Sequence, residues 1–565
     1  MEKWMVHSKR ADFNKIADKF NIDPVIARVI RNRDVISFEE INEYLNGNIE
    51  NLYSPFLLKD LDKALEIIEG KISQDKKIRI IGDYDIDGIC STYILLSGLK
   101  RAGAFVDIDI PDRITDGYGI NINLIKKAFD DGVDTIITCD NGIMAVDETA
   151  YAKSLGMTVV ITDHHNVPEI LPKADAIINP KQADCQYPFK ELCGGAVAYK
   201  LIQGLFEKRG ESPECCYDLI EYAAIATIGD VVTLQGENRI IAKEGLKLIN
   251  KTTNKGLKAL IKANDLADKR IESYHIGFII GPCLNASGRL DTAKKAFKLL
   301  NEDDEEMAAL IANELKELNS TRKELTLKGV DDAIKLSETM NLDEDKVVII
   351  YLPECHESLA GIIAGRIREK YYRPVFVLTK SEDGVKGSGR SIEGYNMHQE
   401  LTRVEGILTK YGGHSMAAGL SLEEAVIDIF KERLNKNSTL TQDELTPKLW
   451  IDSELPFEFL NMDLVKQLRL LEPFGKGNEK PIFAARNITI MSCKIVGSSA
   501  NVMSLVLISE RGTRFYGVSF EKDEFEKITG IQQKGKKIKV IYYPQINEYN
   551  GNIDLRINVK RVSDF

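Results

Sequence analysis

Residues 77–103 read KIRIIGDYDIDGICSTYILLSGLKRAG, an apolar run, a loop rich in aspartate and a longer apolar segment. The run KIRIIG predicts a buried strand, and IDGICSTYILLSGLKRAG predicts a helix. Further along the chain, AFVDIDIP, DTIITCD and MTVVITD have the pattern of strands, and NINLIKKAFDDG and MAVDETAYAKSLG have that of the helices between them. Short apolar strands separated by helices of this length indicate a parallel sheet covered on both faces, so we predict an α/β fold.

The length and composition of the chain are those of a soluble protein with several domains. A chain of 565 residues is too long for one core, and 44% hydrophobic with 28% charged residues is typical of globular proteins. The N-terminus lacks a signal peptide, and no stretch approaches the roughly 18 apolar residues of a membrane span, so we predict a cytoplasmic protein without membrane contact. The net charge of −11 means that a nucleic-acid partner would need local basic patches.

Acidic side chains recur where the predicted strands end. In chain order they are Asp83, Asp85 and Asp87 after KIRIIG, Asp140 after DTIITC, and Asp163 with His164 and His165 after MTVVIT. A further acid, Asp230, stands in the apolar run YAAIATIGDVVTL, where an unpaired carboxylate is costly. Parallel sheets bind ligands beyond the carboxyl ends of their strands, so we expect these side chains to form one site.

Gathered carboxylates repel one another unless a cation neutralises them. Carboxylates mixed with imidazoles suit Mn²⁺, Mg²⁺ or Zn²⁺, and so many acids favour a pair of hard divalent ions. Two such ions about 3.5–4 Å apart can clamp the attacking and leaving oxygens of a phosphoryl group. A lone D-x-D or His-His pair is usually structural. Three such groups at successive strand ends favour metal-assisted phosphodiester hydrolysis instead.

These motifs carry a family resemblance. GDYDIDG, TCDNG, TDHH and TIGDVV, in that order, resemble the four motifs of the DHH phosphoesterase superfamily. PDRITDGYG, LCGGAVAYKL, NASGRL, HESLAGIIAGRI, GSGRS, YGGHSMAAG and LEPFGKGNEKPIF resemble those of its RecJ branch of bacterial single-strand-specific exonucleases. The resemblance runs from about residue 45 to the C-terminus and is weaker in the last hundred residues.

The resemblance and the strand pattern together imply five segments. We predict an N-terminal helical segment over 1–45, a parallel-sheet DHH catalytic domain over 46–300, a connecting helix over 301–337, a DHH-associated α/β domain over 338–448, and a C-terminal OB-fold β-barrel that binds nucleic acid over 449–565. Residues 303–337 contain no proline, so they read as one helix of about 50 Å.

The resemblance also implies roles for the acidic and histidine residues. It implies that Asp85 and Asp87 each bind a different metal ion and that Asp140 bridges both ions. It also implies that His164 and Asp230 bind the second ion. His165 matches a position near the reacting phosphate, as support or as a transition-state contact. Asp83 and Asp163 are expected to orient the ligands. Many DHH enzymes have a histidine at the position of Ile81, so the first ion lacks that ligand here unless Asp83 or water replaces it.

A nuclease must also hold an anionic chain. The resemblance implies that Arg113, Arg289, Ser388 and Arg390 contact phosphates at or near the 5′ end, that Tyr118 offers a stacking platform, and that His414 lines the same site. Glycines beside serine and arginine let backbone N–H groups approach a phosphate. In the predicted barrel, KGKKIKV and RINVKR are basic, with Tyr542, Tyr543 and Tyr549 nearby. Such interleaving suits single-stranded nucleic acid, although a solvated face of a structural barrel is the alternative.

We therefore predict a two-metal exonuclease, using Mn²⁺ or Mg²⁺, that degrades single-stranded DNA from its 5′ end to mononucleotides in DNA repair and recombination. Polarity, DNA preference and product follow from the resemblance. One alternative is a DHH phosphodiesterase acting on short oligonucleotides or cyclic dinucleotides, although such enzymes typically lack the barrel. Another is a non-catalytic DHH replication scaffold, which would be expected to lose the metal acids. We expect a monomer that works with a helicase and a single-strand-binding protein.

Overall fold

The structure is a computed structural model that describes residues 2–341, 344–381, 384–497, 500–549 and 552–564, without the side chains of Tyr549 and Asn552. Within these ranges the chain forms a parallel sheet, a mixed sheet, a closed barrel and a two-stranded pair. Several helices pack between them. The predicted α/β architecture with a C-terminal barrel is confirmed.

The catalytic domain is built on a five-stranded parallel sheet. In spatial order its strands are Val106–Asp109, Ile78–Ile81, Thr135–Cys139, Thr158–Thr162 and Ala176–Ile178. All four residues of Ile78–Ile81 are buried, because helices cover both faces. The strands predicted from KIRIIG, AFVDIDIP, DTIITCD and MTVVITD are therefore confirmed.

Helices surround this sheet. They are Leu61–Ser73, Ile86–Arg101, Ile122–Asp130, Val146–Ser154, Gly194–Lys208, Ile220–Gly229, Gly236–Ile249, Lys255–Ala263, Ser273–His275, the π-helical turn Ile276–Ile280, Gly281–Leu290 and Lys294–Leu300. The helices predicted from residues 86–103, 121–132 and 144–156 are thus confirmed, each shorter by the residues that form the flanking turns.

A long helix, Glu305–Ser337, links the catalytic domain to the next sheet. The side chain of Asp304 accepts a hydrogen bond from the backbone N–H of Met307 and begins the helix, and two glutamates in the first turn favour the positive end of the helix dipole. At 1.5 Å per residue the helix is about 50 Å long. It agrees with the helix predicted over 303–337.

The DHH-associated region contains a mixed five-stranded sheet. Its strands are, in spatial order, Lys410–Gly413, Ala417–Leu422, Gly384–Arg390, Val375–Ser381 and Val348–Tyr351, and its helices are Ala360–Tyr371, Met397–Thr402 and Ile427–Asn437. The strands at 348–351 and 375–381 are parallel, with Ala360–Tyr371 between them, in agreement with the α/β domain predicted for this region.

The C-terminal region forms a barrel of five strands, closed by pairing of the first with the fourth in chain order. The barrel strands are Phe483–Val496, Val502–Ile508, Arg514–Ser519, Lys537–Tyr549 and Asn552–Asp564, with helices Met462–Gln467 and Phe525–Lys534 beside them. Closure removes the exposed edges that an open sheet of this size would carry. The two-residue strand Ser453–Glu454 adds to the start of the first barrel strand.

The N-terminal segment is not purely helical, which corrects the prediction for residues 1–45. It starts with a strand, Lys3–Val6, which pairs in parallel with Lys448–Ile451. Helices Phe13–Phe20, Pro24–Asn32 and Phe38–Asn46 follow and share one hydrophobic core with the barrel. Arg33 forms a buried ion pair with Asp452 at 2.7 Å. The segment therefore packs as part of the C-terminal unit.

Among the described residues, no helix has the length and apolar character needed to cross a membrane.

Candidate active site

The acidic residues of the catalytic domain lie in the loops that follow the parallel strands. Asp85 ends the loop after Ile78–Ile81 and begins the next helix, since its carboxylate accepts hydrogen bonds from the backbone N–H groups of Asp87 and Gly88. Asp140 follows Thr135–Cys139 directly and has a positive φ of 61°. A non-glycine residue in this region is strained, and strain of this kind is concentrated at functional sites.

The structure brings these side chains together around His164. Its Nε2 atom lies 3.1 Å from Oδ1 of Asp140, 3.6 Å from Oδ2 of Asp87 and 3.9 Å from Oδ2 of Asp230. Three sets of side chains have ligand atoms within 4.8 Å of one another: Asp87 with His164 and Asp230, Asp83 with Asp85 and Asp140, and Asp140 with His164 and His165. We call these residues the aspartate cluster. Asp140 joins its two halves.

The aspartate cluster carries more negative charge than its protein surroundings compensate. Burial, followed by the charges of Asp87 and Asp85, raises the pKa of Asp140 well above its usual value. Burial and Asp85 raise the pKa of Asp87 to about 6. Burial and the neighbouring His165 lower the pKa of His164 to about 3, so its imidazole is neutral and can donate a lone pair. Within the part of the chain that the structure describes, no lysine or arginine forms an ion pair with these carboxylates.

A divalent cation fits this donor set. Oδ1 of Asp140 and Oδ2 of Asp83 are buried and have no hydrogen-bond partner among the described residues. Unsatisfied carboxylate oxygens beside a neutral imidazole are the ligands that Mn²⁺ and Mg²⁺ accept. The arrangement suits two ions that share Asp140.

The position of Ile81 is apolar and fully buried in its strand, so it offers no ligand. Asp83 lies close enough to Asp85 and Asp140 to take that place. One of its oxygens accepts a hydrogen bond from the backbone N–H of Gly119 at 3.2 Å, which leaves the other free. This geometry is compatible with both roles left open by the sequence, in which Asp83 either orients the ligands or replaces the missing one.

Asp163 has a different environment. Its carboxylate accepts hydrogen bonds from the backbone N–H groups of Ile143, His164 and His165, and one oxygen lies 2.8 Å from Nδ1 of His165. Burial opposes ionisation of Asp163, but the contact with His165 outweighs it and lowers the pKa of the carboxyl group. Asp163 therefore holds the two histidines in place, as an orienting residue would.

Tyr118 lies beside the aspartate cluster. Its hydroxyl donates to the backbone oxygen of Asp140 at 2.6 Å and lies 3.2 Å from Nδ1 of His165. The side chain is half exposed. Tyr118 can thus support the loop of Asp140 while one face of its ring stays open to a substrate.

Sequence reasoning gave no role to the two glycines of LCGGAVAYKL. The backbone N–H groups of Gly194 and Gly195 donate to Asp87 at 2.7 and 2.6 Å, from the first turn of helix Gly194–Lys208. A Cβ atom on Gly194 would lie 2.7 Å from Cβ of Asp140, so a larger residue would displace the cluster. The helix N-terminus also attracts negative charge. The available signal was the glycine pair itself, within a motif already quoted for the family resemblance.

A second group of predicted residues lies in a cleft between the catalytic domain and the DHH-associated region. The cleft has a volume of about 450 Å³, and its lining includes Tyr84 and Arg113 on one side and Ser358 and Ser388 on the other. The guanidinium of Arg113 lies over the ring of Tyr84, 4.0 Å from its centroid. The structure therefore brings Arg113 and Ser388 together, although they are far apart in sequence.

Arg289 and Arg390 lie close to this cleft. Arg289 donates to the backbone oxygen of Ser358 at 2.8 Å, and Arg390 donates to that of Gly389 at 2.7 Å. Burial, followed by Arg113, lowers the pKa of Arg289 to about 10, and burial with Arg368 lowers that of Arg390. In the described part of the chain, no carboxylate forms an ion pair with Arg113, Arg289 or Arg390. We call these three residues the arginine cluster.

His414, another predicted site residue, does not line the cleft. It lies exposed in the turn between Lys410–Gly413 and Ala417–Leu422. Its backbone N–H donates to Ala417, and its side chain is not among the residues that line the cleft.

The proposed stacking role of Tyr542 and Tyr543 in the barrel is wrong. Tyr542 is fully buried against Phe457, and its hydroxyl donates to the backbone of Leu455. Tyr543 points out of the barrel but is covered, with the ammonium of Lys480 lying 3.9 Å from its ring centroid. The side chain of Tyr549 lies outside the described residues.

The chain resembles known proteins along its whole length. Residues 77–227 match the DHH family, N-terminal domain, residues 344–438 the DHHA1 domain, and residues 451–561 the RecJ OB domain. The single-stranded-DNA-specific exonuclease RecJ of Bacillus subtilis is 35% identical over 99% of this chain and 70% of its own length. The protein of the same name from Escherichia coli is 32% identical over 99% of both chains.

A solved structure agrees with these relatives. The crystal structure of RecJ from Thermus thermophilus in complex with Mn²⁺ superposes with a TM-score of 0.84, at 27% identity, over 100% of this chain and 79% of the other. The same protein in complex with Mg²⁺ gives a TM-score of 0.79. Fold, domain order and sequence thus agree, and the chain belongs to the RecJ family.

Proposed function

We propose that this protein is a metal-dependent exonuclease that hydrolyses single-stranded DNA from the 5′ end and releases 5′-mononucleotides in DNA repair and recombination. The observation that carries the proposal is the aspartate cluster, in which Asp140 belongs to two of the three sets of neighbouring ligand atoms. Family membership supports the substrate and the reaction class, since relatives along the full length are named single-stranded-DNA-specific exonucleases.

In this proposal the aspartate cluster holds two Mn²⁺ or Mg²⁺ ions. Asp87, His164 and Asp230 would hold one ion, Asp83 and Asp85 the other, and Asp140 both. When bound, the ions supply Lewis acidity for attack on phosphorus and neutralise the developing charge. The chain's own residues fix this geometry. Gly194 and Gly195 orient Asp87 through their N–H groups, and Asp163 orients the histidine pair.

His165 is suited to contact the reacting phosphate. Its ring is partly exposed beside Asp140, and Tyr118 and Asp163 fix its orientation. Burial disfavours the charged ring, but the hydrogen bond to Asp163 prevails and raises the pKa of His165 to about 9. A protonated imidazole at this place would stabilise negative charge on a phosphoryl oxygen.

The arginine cluster explains the direction of digestion. Arg113, Arg289 and Arg390 lie close enough for their charges to influence one another, and the charge of Asp85 in the aspartate cluster also acts on Arg289. A terminal phosphate held by these arginines would place the first phosphodiester of the strand at the metals. Ser388 lies in the cleft lining, where it can contact the same phosphate.

Two alternative functions fit less well. A phosphodiesterase for short oligonucleotides or cyclic dinucleotides does not need the closed barrel that residues 483–564 form. A replication scaffold without catalysis does not need the buried, crowded acids, which cost stability unless a ligand binds.

Digestion of end-labelled single-stranded DNA in Mn²⁺ tests the function. We expect the wild-type protein to release labelled mononucleotide from a 5′-labelled strand from the start of the reaction, whereas a 3′-labelled strand shortens gradually. Duplex DNA of the same sequence should resist. Internal cuts, or release that begins at the 3′ end, would contradict the proposal.

We further infer a monomer that works in the cytoplasm with a helicase and a single-strand-binding protein, because a strand-specific exonuclease needs unpaired substrate. Sedimentation of the purified protein tests the monomer. Digestion of a blunt duplex with and without an added helicase tests the need for unwinding.

A further inference from the structure

A second pocket contains no member of either charge cluster and lies where three parts of the chain meet. It has a volume of about 560 Å³ and is lined by helix Gly236–Ile249 with the two residues after it, by residues 270–273, by the segment 469–480 and by Leu45 of the N-terminal segment. We call it the junction pocket. Pockets of this size hold small molecules and occur preferentially between domains.

The junction pocket is rich in cations. Among the described residues that line it, six are basic and two are acidic, although the whole chain has a net charge of −11. The basic residues are Lys243, Lys247, Lys251, Arg270, Arg469 and Lys480. Lys247 pairs with Glu244 at 2.6 Å, and Arg270 pairs with Glu472 at 3.7 Å. No carboxylate of the described residues forms an ion pair with the other four.

Lys243 is the cation that the fold holds most firmly at this pocket. Its ammonium group donates to the backbone oxygens of Leu45 and Gly47 at 3.0 and 3.4 Å. Burial, followed by the charges of Arg239 and Lys247, lowers the pKa of Lys243. A fixed, half-buried cation with cationic neighbours and no carboxylate partner favours an anion as ligand.

The rest of the lining is largely apolar. Leu246, Ile271, Leu470 and Phe474 line the pocket between the cations, and we call these four side chains the apolar wall. The carboxylates of Glu272 and Glu472 add hydrogen-bond acceptors. An inorganic polyanion would leave the apolar wall without a partner and would be repelled by both carboxylates. A molecule with a ring system, hydroxyl donors and several negative charges satisfies all three parts of the lining.

We propose that the junction pocket binds a nucleoside polyphosphate. The basic side chains would bind the phosphates, the apolar wall would contact the base, and Glu272 or Glu472 would accept a hydrogen bond from a sugar hydroxyl. A single phosphate group carries at most about two negative charges, which is fewer than the four cations without carboxylate partners, so the site favours several linked phosphates over one. The proposal does not depend on the proposed function, because no residue of the junction pocket takes part in the proposed reaction.

A ligand in this pocket would connect the catalytic domain to the C-terminal unit. The hydroxyl of Ser273 already donates to the backbone oxygen of Phe474 at 2.7 Å, and both residues line the pocket. A polyphosphate held by Lys251 and Arg469 would add contacts between the same two units. Because such a ligand binds the folded chain only, we expect the melting temperature to rise with its concentration.

Calorimetric titration with ATP in chelator tests the proposal, since divalent ions would otherwise recruit ATP to the aspartate cluster. The double variant Lys251→Gln/Arg469→Gln removes two exposed cations, so the fold should survive. Lys258→Gln is the control, because Lys258 is an exposed lysine of helix Lys255–Ala263 and does not line the pocket. Leu470→Ser changes the apolar wall at a side chain that is already 43% exposed. The comparison ligands are dAMP and inorganic tripolyphosphate.

We expect wild-type protein to bind ATP more tightly than either comparison ligand. The double variant should bind ATP at least about 10-fold more weakly, since the loss of one hydrogen bond to a charged group costs a factor of about 10 to 150. The Lys258→Gln control should bind ATP as wild type does. Leu470→Ser should weaken binding of ATP and leave that of tripolyphosphate unchanged. Arg390→Ala should retain this ATP, because the arginine cluster is a different site.

Three results would overturn the proposal. The first is the absence of ATP binding to folded wild-type protein. The second is binding that is lost in Arg390→Ala and kept in the double variant, which would place ATP in the arginine cluster. The third is equally tight binding of tripolyphosphate or of an oligoglutamate peptide, which would show that the pocket binds charge alone. If melting curves show that the double variant is unfolded, the comparison of ATP with tripolyphosphate on wild type and Leu470→Ser decides.

Discussion

The aspartate cluster and the arginine cluster adjoin each other, carry opposite charges and are at least partly buried. Among the described residues, no carboxylate forms an ion pair with the three arginines, and no lysine or arginine forms one with the acids of the aspartate cluster. In the aspartate cluster burial and like charges raise the pKa of Asp140 and Asp230, whereas in the arginine cluster they lower the pKa of Arg289. Elsewhere the chain forms buried ion pairs, such as that of Lys200 with Glu237 at 2.7 Å. This difference indicates that the active site binds charged ligands, since a fold selected for stability alone would pair these acids and arginines with groups of opposite charge.

Each half of the site is therefore expected to take a ligand of opposite charge. Divalent ions suit the acids, and phosphates suit the arginines. The substrate brings the two halves together, because its terminal phosphate can bind the arginine cluster while the next phosphate lies at the ions. Variants of the acids should consequently impair binding of the metal ions, whereas variants of the arginines should impair binding of the terminal phosphate.

The largest expected effect follows from loss of the residue that joins the two metal sets. Asp140→Ala should lower the rate of hydrolysis by at least about 10³-fold, because both ions lose a ligand. In chelator, Asp140→Asn should melt at or above the wild-type temperature, since removing one of several crowded carboxylates relieves repulsion. The measurements are single-turnover digestion in saturating Mn²⁺ and thermal melting with and without metal.

Asp218→Ala serves as the matched control, because Asp218 pairs with Arg101 on the surface of the same domain. It should retain the wild-type rate. Near-normal hydrolysis by Asp140→Ala in saturating metal would contradict the two-metal assignment.

The second prediction tests the positive half. Arg289→Ala or Arg390→Ala should weaken cleavage of a 5′-phosphorylated strand by about 1.5–3 kcal/mol, the range for a hydrogen bond to a charged group. A strand with a 5′-hydroxyl should lose much less, because it lacks the charge that the arginines bind. The ratio of kcat/KM for the two substrates is the readout.

Binding of Mn²⁺, followed by calorimetry, should be unaffected in both arginine variants. An equal loss of rate on phosphorylated and hydroxyl strands would show that the arginine cluster does not bind the terminal phosphate.

The third prediction distinguishes a metal ligand, Asp83, from a residue that orients the ligands, Asp163. Asp163→Asn should lower metal affinity or activity by about 10- to 100-fold, the usual cost of losing a group that orients a ligand. Asp83→Asn should reduce the number of bound Mn²⁺ ions from two to one under conditions where Asp163→Asn still binds two. Calorimetric stoichiometry distinguishes them. Two bound ions in Asp83→Asn would mean that Asp83 only orients its neighbours.

The parts of the fold that follow from local pattern could be predicted from the sequence. Buried strands with helices between them indicated the parallel sheet, and the rule for carboxyl ends of strands placed Asp140 and His164 in one site. Contacts between segments that are distant in sequence could not be predicted in this way, because no local pattern indicates them. The bonds from Gly194 and Gly195 to Asp87 and the pairing of Lys3–Val6 with Lys448–Ile451 both depend on segments distant in sequence.

The barrel tyrosines show why exposure is harder to predict than strand position. Tyr542 and Tyr543 both lie on strand Lys537–Tyr549, and both are buried. Tyr543 is covered by the segment that includes Lys480. A strand pattern identifies the two faces but not the segment that packs on the outer one.

The smallest expected effect concerns the barrel, which contains neither charge cluster. An exposed cation and an exposed aromatic ring lie on strand Arg514–Ser519, where Arg514 and the 54% exposed Tyr516 stand two residues apart on one face. Arg514→Gln should lower the salt slope for binding long single strands by about 0.7, since it removes one phosphate contact. Tyr516→Ala should weaken the same binding by about 1 kcal/mol. Neither change should alter hydrolysis of very short oligonucleotides, which end before they reach the barrel.

Tyr542→Phe provides a contrast, because it removes a buried hydroxyl and should lower the melting temperature without changing the salt slope. If the two surface variants bind long strands as wild type does, this face of the barrel does not contact the substrate, and the two charge clusters with the cleft between them account for all of its binding.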